Sequence, residues 1–460
     1  MQSRRDQVEA HTYLLSRLTG ALVSADPDAA EPPTRRDSRG IVTGTVVALL
    51  AIAVVAGFAL FSTRGSTRWK QPQTLILDKS TGSRYLLVEG RLRPVLNLAS
   101  AKLLLGSRLT TASVKTAALK NVPRGGPLGI VGAPDSLPAA DRVNRGAWRV
   151  CTTTPVAALT TYPDVRLITD LAGSPATQRF AADQGLLVDV LGDGTYLVWQ
   201  GEALKLSEPW VADVLGWGGV RPLTVPSAWL QLLATGPTLE PVAVPGQDDP
   251  GPRIDGQATT IGQLFHVDDS GRTNPYYLLQ RSGLTALTET QYLLASARAG
   301  TEKPRSISAG ALAVAASTDP VPDDGLPAIP PELQRVQPGR LPCLEYPVRT
   351  KPGRTELVWA PVPGDAHPLV EPEADTATGL HPDQAVRVAP GGGFLVQVRP
   401  TSPASAPSLL LVNDTGTAFP LGDAETATTL GYDATTAAPL PPGYVALLGH
   451  GALLSRSAAR

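Results

Sequence analysis

The chain has 460 residues, which is longer than a typical single domain, so its length predicts two or more domains. Lysine and arginine number 40 against 41 aspartates and glutamates, giving a formal net charge of −1. A balance this close to neutral provides no global field that would attract nucleic acid, and we predict no nucleic-acid partner. The 44 glycines and 44 prolines favour turns and linkers over a helical bundle.

The first predicted element is a helix over Arg4–Val23, within an N-terminal arm of residues 1–40. Apolar side chains recur at helical spacing along one side of this helix, at Val8, Leu15, Leu18 and Leu22. A lone amphipathic helix has no other part of its own chain to cover this face, so it lies on a membrane or docks on a partner. Only three basic residues accompany two acidic ones, which is weak for a lipid-surface helix. We therefore predict that the helix docks on a partner protein.

The second predicted element is a membrane span at Ile41–Phe61, a run with no charge and no proline. A helix needs roughly 20 apolar residues to cross the hydrocarbon core, and this run is long enough. A cleaved signal peptide is the alternative, but such a peptide begins near the N-terminus and has an apolar run of about 7–15 residues. Basic residues flank the run in similar number on both sides, so charge does not decide the orientation of the span.

Beyond the span a pattern recurs: a turn, a strand, a second turn, a second strand and a capped helix. It occurs in Gln73–Gly106, Gly192–Gly219 and Asp268–Gly300, and more loosely in Asn413–Ser455, where a long insertion is predicted after the second strand. The predicted caps of the first three helices are Asn97 or Ser100, Ser207 and Thr288. Unequal spacing between the copies excludes a stacked solenoid, and we predict separate small α+β modules.

Both cysteines, Cys151 and Cys343, follow the span. Outside the cytoplasm such a pair normally forms a disulfide, and two unrelated buried thiols are the alternative. We predict that residues 121–190 and 305–410 pair into one central domain, with the bond joining its halves. The predicted fold class is thus α+β, with a single N-terminal transmembrane helix (residues 41–61) followed by about four small modules around a disulfide-tied central domain. The modules are predicted at residues 72–120, 191–240, 255–304 and 411–460.

No motif for catalysis, for a cofactor or for a metal occurs in the sequence. It contains no G-x-x-x-x-G-K-[ST] phosphate loop and no G-x-S-x-G nucleophile elbow. No two of the five histidines have the four-residue spacing of a helical metal site, and Asp268–Gly271 is interpreted as a turn rather than a calcium loop. The second repeat holds a cluster of tryptophans for which core packing is favoured over sugar stacking, namely Trp199, Trp210, Trp217 and Trp229. We therefore predict no catalytic, cofactor-binding or metal-binding residue.

Several stretches together resemble the EccB family of the type VII (ESX) secretion system of actinobacteria. They are RRDQVEAHTYLLSRLTGALV at Arg4–Val23, the span, RYLLVEGRLRPVLNLASAKLLLG at Arg84–Gly106, GPLGIVGAPDSLP at Gly126–Pro138, Trp148–Cys151 and Pro342–Cys343. The family usually has proline where this chain has Val131. The resemblance covers the whole chain, with the motifs in the same order.

The resemblance implies a single-pass protein of the inner (cell) membrane, with a cytoplasmic N-terminus and a large extracytoplasmic part held by one disulfide. It implies a structural scaffold subunit that works with EccC, EccD and EccE near the mycosin protease and that self-associates as a dimer or a ring. In this family's complex, the resemblance implies, EccC supplies the ATPase motor. Some members of the family are labelled ATPases, so an ATP hydrolase is one alternative. The repeats of the family are similar in shape to a cell-wall-binding unit of a phage lysin, so the resemblance leaves a peptidoglycan-binding membrane anchor as the other alternative.

Overall fold

The computed structural model of the protein describes residues 4–24, 34–62, 67–144, 146–154, 165–173, 177–267, 276–298, 303–317, 325–348, 353–363, 383–399 and 406–460. The described chain is mixed α and β. It divides into two compact units. The first is formed by Met1–Ser83 and Thr111–Val122, and the second by Arg84–Thr110 and Pro123–Arg460.

Apart from the first two helices, the elements are short. The helices are α1 (Arg4–Ser24), α2 (Thr34–Ser62), α3 (Leu98–Leu105), α4 (Thr116–Leu119), α5 (Trp210–Val214), α6 (Ser227–Leu230), α7 (Glu289–Arg298), α8 (Ala309–Ala315), α9 (Ala424–Leu430) and α10 (Pro442–Val445). The first strands are β1 (Thr74–Asp78), β2 (Arg84–Val88), β3 (Arg91–Pro94), β4 (Thr110–Val114), β5 (Trp148–Thr152), β6 (Leu167–Leu171), β7 (Gln178–Arg179), β8 (Gln184–Val190), β9 (Gly194–Trp199), β10 (Glu202–Lys205), β11 (Leu223–Thr224) and β12 (Ala234–Thr235). The remaining strands are β13 (Leu264–Val267), β14 (Tyr276–Gln280), β15 (Gly283–Ala286), β16 (Arg305–Ile307), β17 (Glu332–Leu333), β18 (Arg340–Tyr346), β19 (Glu356–Pro361), β20 (Gln384–Val388), β21 (Phe394–Val398), β22 (Ser408–Val412), β23 (Thr417–Leu421), β24 (Ala438–Leu440) and β25 (Gly449–His450).

The first unit contains α1, α2, β1, α4 and most of β4. The helix predicted over Arg4–Val23 is confirmed by α1. The predicted span Ile41–Phe61 falls within α2, whose side chains are described from Gly40 to Ala56. Within the residues that the structure describes, no helix has both the length and the apolar character that crossing a membrane requires.

A six-stranded sheet in the second unit, here called the central sheet, has the strand order β20-β6-β5-β18-β19-β7. Its two middle strands, β5 and β18, are antiparallel, and Cys151 is paired with Cys343 in their register. The strands come from two parts of the chain, residues 148–179 and 340–388. Every residue of β5 and of β6 is buried, so both faces of the sheet are covered there.

The smaller sheets belong to modules that share one topology, as module 2 (residues 184–239) illustrates. Its strands β8, β9 and β10 form an antiparallel meander. After α5 the chain returns as β11, parallel to β8, and after α6 it returns as β12, parallel to β10. Module 3 (residues 264–316) follows the same order with β13–β16, α7 and α8, and module 4 (residues 394–454) does so with β21–β25, α9 and α10. In module 1 (residues 74–128), the second unit holds the β2–β3 hairpin and α3.

In modules 2 and 3 the pattern predicted from the sequence is only the middle of this topology. Each of these two modules also has a strand before the pattern, and a returning strand and a second helix after it. The predicted boundary at residue 191 therefore falls between two paired strands, β8 and β9. The boundary at residue 305 falls at the start of β16, which pairs with β13. The first turn of the third copy, Asp268–Gly271, lies outside the described residues.

The long insertion predicted in the fourth copy is wrong. Helix α9 follows β23 almost directly, as the equivalent helix does in the other modules. Its cap is Asp423, whose Oδ1 accepts hydrogen bonds from the Thr426 N–H at 2.6 Å and from the Thr426 hydroxyl at 2.7 Å. The Thr426 side chain, and after it the Thr426 N–H, hold the pKa of the Asp423 carboxyl below its usual range. The helix sequence, AETATTL, has one large apolar residue, so it shows no hydrophobic period.

Two of the three other predicted caps are confirmed. Asn97 accepts a hydrogen bond from the Ser100 N–H at 3.0 Å and begins α3. Thr288 and Gln291 form a reciprocal capping box at the start of α7, in which each side chain accepts from the other residue's N–H. The prediction for Ser207 is wrong, because its hydroxyl donates to the Leu239 carbonyl at 3.0 Å and α5 begins without a side-chain cap.

The order of elements repeats in two halves. Module 1, β5, β6, β7 and module 2 are followed by module 3, β18, β19, β20 and module 4. The strand order of the central sheet is symmetric about its middle. Strands β5 and β18 lie at the centre, β6 and β19 lie next to them, and β20 and β7 lie at the two edges. The match is imperfect at the edges, where β20 is parallel to β6 but β7 is antiparallel to β19. The chain therefore contains two copies of one module–strands–module arrangement.

Modules 2 and 4 pack on the central sheet through equivalent second helices. Trp229 on α6 is fully buried, and its indole N–H donates to the Val150 carbonyl on β5 at 3.1 Å. Tyr444 on α10 is also fully buried, and its ring centroid lies 6.4 Å from that of Trp148 on β5. The first helices of the modules pack in pairs, α3 with α9 and α5 with α7. These contacts join segments that are far apart in the sequence.

Candidate functional site

The predicted disulfide is present at the centre of the central sheet. Cys151 and Cys343 are bonded, both are buried, and their Cα atoms lie 4.0 Å apart. They pack in a cluster with neighbouring apolar side chains of the same sheet, among them Ile168 and Val358. The bond joins β5 to β18 across 192 residues of sequence. It thereby joins the two halves of the chain.

A row of four alternating charges crosses the same sheet. The strand registers place Glu345 opposite Arg149, Arg149 opposite Asp170, and Asp170 opposite Arg387. Arg149 donates from Nη2 to Glu345 at 2.9 Å and from Nη1 to Asp170 at 3.2 Å. Arg387 donates to Asp170 from Nε at 3.0 Å and from Nη2 at 2.8 Å.

These four side chains are 4% to 12% exposed, so the charges are almost entirely removed from water. Burial of that kind is tolerated only where each charge is paired and hydrogen-bonded, as it is here. Both carboxylates are held by guanidinium groups, which suits a structural role better than general acid–base chemistry. The sequence carries no local signal for this row, because its members come from four strands.

Among the described residues, no three His, Cys, Asp or Glu side chains lie close enough to hold a metal ion. The tryptophans of the second repeat contribute to the core, as predicted. Trp217 and Trp229 are buried, and both indole N–H groups donate to backbone carbonyls at 3.1 Å. Trp199 and Trp210 are half-buried against the same module core.

The apolar residues singled out on α1 have no cover within the described chain. Val8, Leu15, Leu18 and Leu22 are 53% to 78% exposed. The large apolar side chains described along α2, from Ile41 to Val55, are likewise exposed. The side chain of Phe61, the predicted end of the span, lies outside the described residues.

A cleft with a volume of about 870 Å³ opens beside module 2, and no sequence motif marks it. Its lining comes from the end of β5, from Arg166 before β6, from β8, from the loop before α6, from the segment after β17, and from Asp383 before β20. Most of the lining is apolar, but three arginines also contribute to it, Arg166, Arg221 and Arg335. Six separate chain segments meet there, which is why the sequence alone does not predict it.

The whole chain, residues 1–460, matches the protein family described as "Type VII secretion system ESX-1, transport TM domain B". Among curated proteins, the chain is similar to the ESX-3 secretion system ATPase EccB3 of Mycolicibacterium smegmatis, with 26% identity over 95% of this chain and 86% of that protein. It is also similar to the ESX-1 secretion system ATPase EccB1 of Mycobacterium tuberculosis, with 26% identity over 98% of this chain and 93% of that protein.

Two solved structures have a similar fold. One is a chain of an intact ESX-5 inner membrane complex, with a TM-score of 0.66 and 23% identity over 100% of this chain and 95% of that chain. The other is a chain of the EccB3 dimer from the ESX-3 core complex, with a TM-score of 0.66 and 23% identity over 84% of this chain and 99% of that chain. At this level of identity the similarity shows a shared fold.

Proposed function

This chain belongs to the EccB family of type VII secretion systems, and from that premise we propose that it is a structural scaffold subunit of an ESX membrane complex. In this proposal α2 crosses the inner membrane once, over Ile41–Phe61. The N-terminal arm is cytoplasmic and the second unit is extracytoplasmic, where copies of the chain associate with one another. Proteins of similar fold come from an ESX-5 inner membrane complex and from an EccB3 dimer, which supports this assignment.

The disulfide supports the proposed orientation. Structural disulfides form and persist in oxidising compartments outside the cytoplasm. Cys151 and Cys343 are the only cysteines of the sequence, and both follow α2. A buried bond between them is therefore expected where α2 has carried the second unit across the membrane. The exposed apolar side chains of α2 support the same proposal, because a lipid environment covers them.

The single observation that carries the scaffold proposal is the uncovered apolar face of α1, formed by Val8, Leu15, Leu18 and Leu22. Exposed apolar patches on a helix mark interaction surfaces. We propose that this face docks on cytoplasmic parts of the other subunits of the complex, EccC, EccD and EccE. The second unit, on the other side of the membrane, then lies near the mycosin protease and contacts other copies of the chain.

The test is affinity purification of the tagged full-length protein in mild detergent, followed by mass spectrometry. Recovery of an ATPase motor subunit and a multi-span subunit in one large complex is the expected result. Recovery of the protein as a monomer or dimer without membrane partners contradicts the proposal.

The name of the curated relatives favours a second candidate, ATP hydrolysis. The sequence contains no G-x-x-x-x-G-K-[ST] loop, the usual backbone cradle for nucleotide phosphates. If the purified protein hydrolyses ATP and a point variant abolishes that hydrolysis, this activity is established.

A third candidate is a peptidoglycan-binding anchor. It is tested by sedimentation of the protein with isolated cell wall.

A further inference from the structure

We propose that the cleft beside module 2 binds a short acidic peptide segment, which inserts an apolar side chain between β17 and β11 and pairs its carboxylate with arginines at the rim. The cleft is distinct from the face of α1 that carries the proposed function, so the two proposals are independent. A volume of about 870 Å³ lies within the range of binding sites for small ligands and short peptides.

The back wall of the cleft is an interrupted sheet edge. On this edge of β8, the strand β17 pairs with Gln184 and Gly185, and β11 pairs with Val188 and Asp189. Leu186 and Leu187 lie between these two short pairings and line the cleft. The interruption leaves an apolar gap between β17 and β11, which suits one aliphatic or aromatic side chain.

Module 2 differs from its equivalents at this point. Its returning strand β11 has two residues, whereas the equivalent strands β16 and β24 have three and β4 has five. The loop before β11 contributes Gly219 to Pro222 to the lining of the cleft instead of pairing with β8. The site is therefore built where one module departs from the topology that it shares with the others.

A buried hydroxyl gives independent evidence for a polar ligand group. Thr154, after the end of β5, is 3% exposed and lines the cleft, and its Oγ1 has no hydrogen-bond partner among the described residues. A buried hydroxyl without a partner is destabilising, because it loses its hydrogen bonds to water without replacement. A ligand backbone amide or carboxylate in the cleft would satisfy it.

The charge on the lining favours an anion. Arg166, Arg221 and Arg335 are exposed on the lining, and none of them forms an ion pair with another described residue. The described lining includes one acidic residue, Asp383, so positive charge exceeds negative charge there. Guanidinium groups pair well with carboxylates, because two parallel N–H groups can donate to the two oxygens. Apolar walls with an arginine rim thus match an apolar side chain next to Asp, Glu or a C-terminal carboxylate.

The test uses the full-length protein in nanodiscs of phosphatidylcholine and a phage-displayed library of random twelve-residue peptides. We expect enrichment of sequences that place Asp or Glu beside a large apolar residue. The most enriched peptide is then synthesised with a fluorescein label, and its Kd is measured by anisotropy.

The double variant Arg221→Gln/Arg335→Gln should weaken this Kd by about tenfold or more, because each charge-assisted pair contributes strongly. Thr154→Val should weaken it several-fold. Arg281→Gln, an exposed arginine outside the cleft, is the matched control and should leave the Kd within about twofold. Thermal unfolding of the arginine variants is expected to match the wild type, since the substituted arginines are exposed.

Three results would overturn the proposal. Enrichment of no sequence, or of basic sequences, contradicts the predicted ligand chemistry. Equal weakening by Arg281→Gln shows that binding is not at the cleft. Sodium laurate, added below its micelle concentration, tests an anionic amphiphile. If laurate binds with dependence on Arg221 and Arg335 while no peptide does, the ligand is a lipid rather than a peptide.

Discussion

Cys151 lies directly opposite Cys343 in the antiparallel pair at the middle of the central sheet, with their Cα atoms 4.0 Å apart. The two residues occupy equivalent positions in the two halves of the chain. Their bond therefore lies where the halves meet, and it closes a loop across 192 residues of sequence. Loops of this length are those for which a cross-link most reduces the freedom of the unfolded chain.

Replacement of both cysteines, Cys151→Ala with Cys343→Ala, should lower the free energy of unfolding of the second unit by about 2–5 kcal/mol. The measurement is denaturant unfolding of the full-length protein in detergent, followed by tryptophan fluorescence. Wild-type protein treated with a reductant is the matched control and should unfold like the variant. An unchanged midpoint in the variant would contradict the expected role of the bond.

Asp170→Asn should lower the free energy of unfolding by about 3–5 kcal/mol. The carboxylate is 4% exposed and accepts hydrogen bonds from Arg149 and Arg387, so its removal leaves buried positive charge without compensation. Denaturant unfolding at neutral pH measures the loss. The control is Asp193→Asn, which breaks the exposed ion pair with Lys205 and should lower the free energy of unfolding far less. Equal effects of the two substitutions would show that the charge row does not stabilise the sheet.

Asp423 should make the stability of module 4 depend on acid. Hydrogen bonds from Thr426 hold the pKa of the folded carboxyl below its value in the unfolded chain. Its stabilising contribution is therefore fully present above the unfolded pKa of about 3.9, and it is lost as the pH falls through the lower folded pKa. Asp423→Asn keeps a capping side chain but does not titrate. The stability that wild type has over Asp423→Asn at pH 6 should decrease as the pH is lowered to 2. A difference that stays constant over this range would refute this account.

Leu15→Ser with Leu18→Ser should abolish assembly of the complex while leaving the second unit folded. Both side chains are exposed on α1, so their replacement removes no described core contact. Co-purification of partner subunits with the tagged protein measures assembly, and unfolding of the second unit measures folding. Arg5→Ser, an exposed polar position on the same helix, serves as the control. Intact complex recovered from the double variant would exclude docking through this face.

Local features of the fold were predictable from the sequence. Helix α1, the Asn97 cap and the Thr288 capping box all have signals within a few residues. The disulfide was predictable because the chain has only two cysteines. The returning strand β11 was not, because two residues are too few to show an alternating pattern. The charge row and the cleft were not predictable either, since Arg149 meets Glu345 across 196 residues and the lining of the cleft comes from six segments.

The halves of the chain interlock in a way that sets the order in which it can fold. Because the chain is synthesised from its N-terminus, β5 and β6 are available long before β18, β19 and β20. During that interval the first strands are open edges, which are prone to pair with other chains. The hydrogen bond from Lys102 to the Leu430 carbonyl can form only later still, because 328 residues separate the two in the sequence. Folding of the second unit therefore finishes only after synthesis of nearly the whole chain, and we expect its slow step to be the closure of these distant pairs.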